Sequence, residues 1–211
     1  MKRQQLEGLR KLLKETESNT DLPEEKEVII QLLNTIIRSN ELILRSEEYL
    51  SSGFNLGYFL IQSQRIEKTV SGIIDSGEKL RAMSSKTKPK DINLNIPLGQ
   101  LTKLLSKYIE GDAVFVPLKE FNDYRKVTIH RLSDDFTRPL SEIEASIAAD
   151  YPFVKINNLQ SILMEAQRRI SVRTLEFMPE GENARTTGTK LAAEMERVLN
   201  LNDLNIKLLN S

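Results

Sequence analysis

Residues 117–136, PLKEFNDYRKVTIHRLSDDF, can be read in two ways, and the choice settles the class of fold. As a strand, Val127 and Ile129 alternate within YRKVTIHRL. As a helix beginning at Pro117, Leu118, Phe121, Ile129, Leu132 and Phe136 fall within about 80° of one another at 100° per residue. Five positions against two favour the helix. The run just before it, AVFVPL at 113–118, is the only β-like stretch in the chain. The sequence leaves open whether it pairs.

Working outward from this segment, the apolar pattern stays helical. On the C-terminal side, Thr137-Arg138-Pro139 opens a helix carrying Leu140, Ile143 and Ile147, and Tyr151-Pro152 ends it, because the residue before a proline is biased out of helical geometry. Leu159, Leu163, Ala166, Ile170 and Phe177 stripe a further long helix. PEGENARTTG at 179–188 reads as an exposed loop, and a last helical region carries Leu191, Met195, Val198, Leu201, Leu204 and Leu208. On the N-terminal side, Leu98, Leu101, Leu105 and Tyr108 make a short amphipathic helix that Gly111 would stop.

Two longer segments precede these. After a first helical stretch with Leu6, Leu9 and Leu13, Asp21-x-x-Glu24 is a capping-box arrangement, with Pro23 where no backbone donor is needed. The helix it opens repeats Ile29, Ile36, Ile43 and Leu50 every seven residues. Ser-Ser-Gly at 51–53 breaks it, and Phe59, Ile66, Ile73 and Leu80 then repeat the same spacing. Two long helices with seven-residue seams and a short break between them are expected to form an antiparallel pair. The expected fold is therefore all-α: an N-terminal long antiparallel helix pair over 1–83, a polar linker over 84–97 and a C-terminal helical bundle over 98–211. The seam residues Ile29, Ile36, Ile43, Phe59, Ile66, Ile73 and Leu80 are candidate self-association positions.

Composition removes many functions. The chain has 211 residues, enough for one domain with a real core. Lys+Arg and Asp+Glu are both 30, so no global basic field gathers nucleic acid or anionic lipid, and such a partner needs a local patch. The absence of cysteine excludes disulfides, thiolate metal sites and cysteine nucleophiles, and a single histidine excludes poly-His metal sites. No cofactor and no metal is expected. The opening MKRQQLEGLRKLLKE lacks the apolar core of a secretory signal, and no run approaches 18 apolar residues, so a cytoplasmic protein without a membrane partner is expected. Phosphate-binding glycine loops, HExxH and GxSxG are missing. From Arg65 to Lys107, nine Lys/Arg stand against Glu67, Asp75, Glu78 and Asp91, which reads as a solvated linker or, alternatively, as a phosphate-contacting patch without interleaved aromatic residues.

What remains is DYRKVTIHRL at 123–132. His130 alone can both take and give a proton near neutrality. Arg125 falls inside the apolar stripe, about 20° from Leu118, while His130 lies on its edge. A guanidinium there must snorkel, meet a carboxylate of the same chain, or face an anion. An all-helical chain with Tyr-Arg-x4-His-Arg on a helix resembles the HEPN family, the higher-eukaryote-and-prokaryote nucleotide-binding domains. Arg125 would be the motif arginine and His130 the motif histidine, with Lys126 where the family has a small polar residue. The resemblance implies metal-independent cleavage of single-stranded RNA by a homodimer, in toxin or defence systems, with Arg125 and His130 catalytic. Lys126, Arg131 and a second basic cluster, Arg168, Arg169 and Arg173, are candidate phosphate contacts, although Glu165 and Glu176 stand close enough to pair with that cluster. Two functional classes are thus expected: a helical binding or assembly protein, acting as a homo-oligomer or on a helical partner, or a HEPN-like RNA-binding or RNA-cleaving homodimer.

Overall fold

The protein is all-α. Its structure, a computed structural model, describes residues 3–18, 23–134, 138–176 and 207–208. Seven helices lie among these: α1 (Arg3–Ser18), α2 (Pro23–Ser51), α3 (Asn55–Ser84), α4 (Leu98–Leu105), α5 (Asp112–Asp134), α6 (Leu140–Asp150) and α7 (Phe153–Glu176). Two short strands, β1 (Ile109–Glu110) and β2 (Lys207–Leu208), pair antiparallel with Ile109 opposite Leu208. Leu208 is therefore strand where the apolar spacing suggested helix: backbone groups already presented by β1 outweigh a weak local period. Asp21, Phe136, Phe177, the 179–188 stretch and the leucines between 191 and 204 lie outside the described residues.

The chain forms two compact units, Met1–Gln62 and Ser63–Ser211. The division falls inside α3, so the polar stretch at 84–97 belongs to the second unit. In the first unit α1 packs on α2, where Arg10 Nη2 meets Glu41 Oε1 at 2.6 Å and Leu6, Leu33 and Ile37 are buried. Gln62 Nε2 donates to Ser46 Oγ at 3.0 Å in a buried polar contact between α3 and α2.

Helix ends follow from local chemistry. At the end of α2, Phe54 N–H donates to the Tyr49 carbonyl (2.8 Å) and Gly53 N–H to that of Leu50 (3.2 Å), with Gly53 at φ 76°. This is a Schellman ending, completed by the edge-on contact of Tyr49 with Phe54, whose ring centroids lie 5.0 Å apart. The end of α3 repeats it: Thr87 N–H donates to the Ala82 carbonyl and Lys86 N–H to that of Met83, with Lys86 at φ 50°. A lysine thus occupies the left-handed position that glycine fills at no steric cost.

In the second unit each helix contributes one buried stripe: Ile66, Val70 and Ile73 from α3, Leu98, Leu101 and Leu105 from α4, Val114, Leu118 and Phe121 from α5, Ile143 and Ile147 from α6, and Ile156, Leu159, Leu163 and Ile170 from α7. Packing of α5 against α4, α6 and α7 places it centrally. AVFVPL is helical, since α5 starts at Asp112 rather than at Pro117. Gly111, at φ 136°, opens this helix rather than stopping α4, and its carbonyl accepts from Val114 and Phe115. Pro117 leaves only the first-turn carbonyl of Ala113 without its helical donor, and the full burial of Val114 and Leu118 on one face offsets that loss.

The buried face of α5 also departs from the straight-helix expectation. Thr128 is buried while Ile129 is 42% exposed. Packed positions recur at 114, 121 and 128, a seven-residue repeat that drifts about 20° per heptad from a straight helix and carries Ile129 off the seam. The Thr128 hydroxyl donates to the Tyr124 carbonyl at 3.1 Å, so its burial leaves no donor unsatisfied.

Lys86→Gly should raise stability by about 0.5–1 kcal/mol, because it relieves the left-handed backbone while keeping the Schellman hydrogen bonds. The measurement is the urea midpoint at neutral pH; an unchanged or lowered midpoint would show that Lys86 carries no strain.

Candidate functional site

Arg125 and His130 lie on the same uninterrupted helix, five positions and thus about 140° apart. Arg125 is half-buried, and its Nη1 meets Glu67 Oε1 on α3 at 2.6 Å, with side-chain exposures of 22% and 28%. The arginine in the apolar stripe therefore meets a carboxylate of its own chain. His130 is exposed. Lys126 is exposed and 3.6 Å from Asp123, and Arg131 pairs with Asp150. The helix thus brings the two candidate catalytic side chains onto one element without bringing them onto one face.

The second basic cluster is drawn inward. Glu165, only 1% exposed at its side chain, accepts from Arg168 Nε (2.7 Å) and Nη2 (2.9 Å) and from Arg169 Nε (2.7 Å). Burial raises its carboxyl pKa, and donation from the two guanidinium groups more than reverses this, leaving it below the ordinary value. Arg173 is half-buried on the same helix. Tyr151 stacks on Tyr124 with centroids 4.8 Å apart, Tyr124 donates to the Ile147 carbonyl, and burial pushes the Tyr151 phenol up to about 12.

The seam residues divide. Phe59, Ile66, Ile73 and Leu80 on α3 are buried at 0–3% exposure within the single chain, whereas Ile36 and Ile43 on α2 are half-buried. Ile29 lies on α2, and its side chain is outside those described. Among the described residues no cluster of three or more His, Asp or Glu is placed to hold a metal ion, and no helix is long and apolar enough to cross a membrane.

A densely bonded polar group lies elsewhere, at Glu78 on α3. Its buried carboxylate accepts from Arg81 Nε (2.8 Å) and Nη2 (2.6 Å), from the backbone N–H of Lys90 (2.8 Å) and from the Tyr108 hydroxyl (3.1 Å). Gly77 makes room for this: a Cβ there would come within 2.9 Å of Tyr108. Donation from Arg81, helped by Lys90 and Tyr108 and opposed by burial, holds the Glu78 carboxyl at about 2. Sequence could show the Glu78–Arg81 spacing of three, which is a helical neighbour pair. It could not show that Lys90 and Tyr108 converge there, nor that Glu67 faces Arg125 from 58 positions away.

Compared with protein-family models, with curated proteins and with solved structures, the chain matches none.

Because the folded pKa of Glu78 lies below its ordinary 4.5, its contribution to stability is complete above about pH 4.5 and is lost as pH falls toward 2. Glu78→Gln should lower the denaturation midpoint at pH 7 and flatten its decline between pH 4.5 and 2. Parallel pH profiles for the two proteins would show that Glu78 does not couple protons to folding.

Proposed function

We propose that the chain works through helix–helix contacts, as a self-associating binding or assembly protein whose first partner is a second copy of itself. The carrying observation is the unequal coverage of the two seven-residue seams. On α3 the seam is consumed by the chain's own core, while on α2 Ile36 and Ile43 stay half-buried and Leu50, the next position in the repeat, is 38% exposed. An apolar row of this kind running along a 29-residue helix is the surface that a partner helix covers. Leu12 on α1, 48% exposed, adds apolar area in the same unit. An antiparallel arrangement of α2 with α3 is part of this reading, supported by the three-residue break at 52–54 and by the Gln62–Ser46 hydrogen bond.

Light scattering coupled to size exclusion tests it. Wild type should exceed the 24.1 kDa of one chain. Ile43→Asp and Leu50→Asp should return it to that mass with helical circular dichroism retained, whereas His130→Ala should leave the oligomer unchanged. Ile66→Asp is unsuitable as the seam variant because Ile66 is fully buried and its replacement breaks the core. A wild-type mass of 24.1 kDa at every concentration, or seam variants of unchanged size, would overturn the reading.

The second reading, HEPN-like metal-independent RNA cleavage, is supported by the continuity of α5 through Arg125 and His130 and by the exposure of His130. It is the weaker one, since the Arg125 guanidinium already holds Glu67. Labelled single-stranded RNA incubated with chelator should be cut no faster by wild type than by Arg125→Ala or His130→Ala; a wild-type rate at least tenfold above both variants would reverse this ranking.

A further inference from the structure

The charge of the second unit is unevenly placed. Between residues 85 and 107 the chain carries Lys86, Lys88, Lys90, Lys103 and Lys107 against a single acid, Asp91. All five lysines are exposed, and among the described residues none takes part in an ion pair. The acids that balance the region in the sequence are engaged elsewhere: Glu67 by Arg125, Asp75 by Lys79 and Glu78 by Arg81. Glu110 and Asp112 follow just beyond, and over 85–112 five lysines against three acids still leave a local surplus of two positive charges in a formally neutral chain.

Two separate segments supply this surplus, and one buried group draws them together. The backbone of Lys90 is bonded to Glu78 Oε1, and Tyr108, the residue after Lys107, is bonded to Glu78 Oε2 and packed on Gly77. Lys103 sits one helical turn before Lys107. The left-handed turn at Lys86 sends the chain back from the end of α3, with Thr87 bonded to Ala82. The strap that carries three of the lysines and the corner that follows the other two are thereby tied to the same carboxylate, through the Lys90 N–H and the Tyr108 hydroxyl. Their backbones are ordered before any ligand arrives, which reduces the entropy lost on binding.

We propose that the segments 86–90 and 103–107, tied at Glu78, form a site for the phosphate backbone of a nucleic acid, bound through its charge and without reading of bases. The surroundings select this occupant over a membrane. The nearby apolar residues Ile92, Leu94 and Ile96 are half-buried rather than projecting, so no anchor is offered to a lipid core. The one aromatic of the region, Tyr108, is buried and hydrogen-bonded, so bases find no stacking platform and the contact rests on phosphates. Lysine suits such a contact as a point charge that requires no bidentate geometry. The site is independent of the α2 seam and of the Arg125–Glu67 pair.

The test uses the full-length chain and fluorescein-labelled dT20 and U20, read by anisotropy from 50 to 300 mM salt. Wild type should bind both within about threefold of each other. Its log–log salt slope should be about −2 to −3.5, as expected for three to five single-strand phosphate contacts at about −0.7 each. The triple variant Lys88→Glu, Lys103→Glu, Lys107→Glu should lose at least tenfold in affinity with an unchanged circular dichroism spectrum, and Lys11→Glu with Lys14→Glu on α1 should lose less than twofold. Three results would each overturn the proposal: no wild-type binding at 50 mM salt, a triple variant within twofold of wild type, or tighter binding to phosphatidylserine vesicles than to either oligonucleotide.

Discussion

The second unit depends on a carboxylate that has left water. An ionised carboxylate removed from solvent is costly unless its lone pairs are filled, and four donated hydrogen bonds fill those of Glu78. Each donor comes with a piece of backbone. Arg81 keeps the satisfaction local to α3, Lys90 secures a strap that has no regular structure, and Tyr108 secures the corner between α4 and β1. Because the group must keep all of these partners or lose its solvation, it ties segments with little apolar surface of their own to α3. A glycine next to the carboxylate is part of the same arrangement, since any larger residue would push Tyr108 away.

Around that anchor, α3 has the unusual position of belonging to both compact units. Its apolar seam is buried along its length, and its polar flank presents Glu67 and Glu78 eleven residues apart, which on a helix is nearly the same azimuth. One of these holds Arg125 on α5, and the other holds the strap and the α4 corner. The helix that the sequence presents as half of an antiparallel pair is the internal spine of the second unit.

How much of this could be read from residue order depends on the range of the deciding interaction. Pro97 and Pro139 mark the starts of α4 and α6, and Gly53 the end of α2, because these residues act on their own backbone. AVFVPL could not be read in the same way: its β-branched content argues for strand, whereas in the fold Val114 and Leu118 are buried on one helical face. Ile129 yields the buried place expected of it to Thr128 because the packing repeat is seven, a property of neighbouring helices rather than of α5. For the candidate site, the spacing rightly put Arg125 near the core, yet its partner Glu67 carries no mark in the sequence that distinguishes it from any solvated acid.

The hydrogen bond between Gln62 and Ser46 has an effect on alternatives rather than on the native state alone. Both residues are almost sealed from solvent. Sliding α3 along α2 by one turn, about 5.4 Å, would separate the two. The amide would lose this hydroxyl, a penalty of about 1–3 kcal/mol for a sealed polar group. One weak bond, worth little as glue, thus acts as a ratchet tooth that penalises a slipped alignment of the two helices.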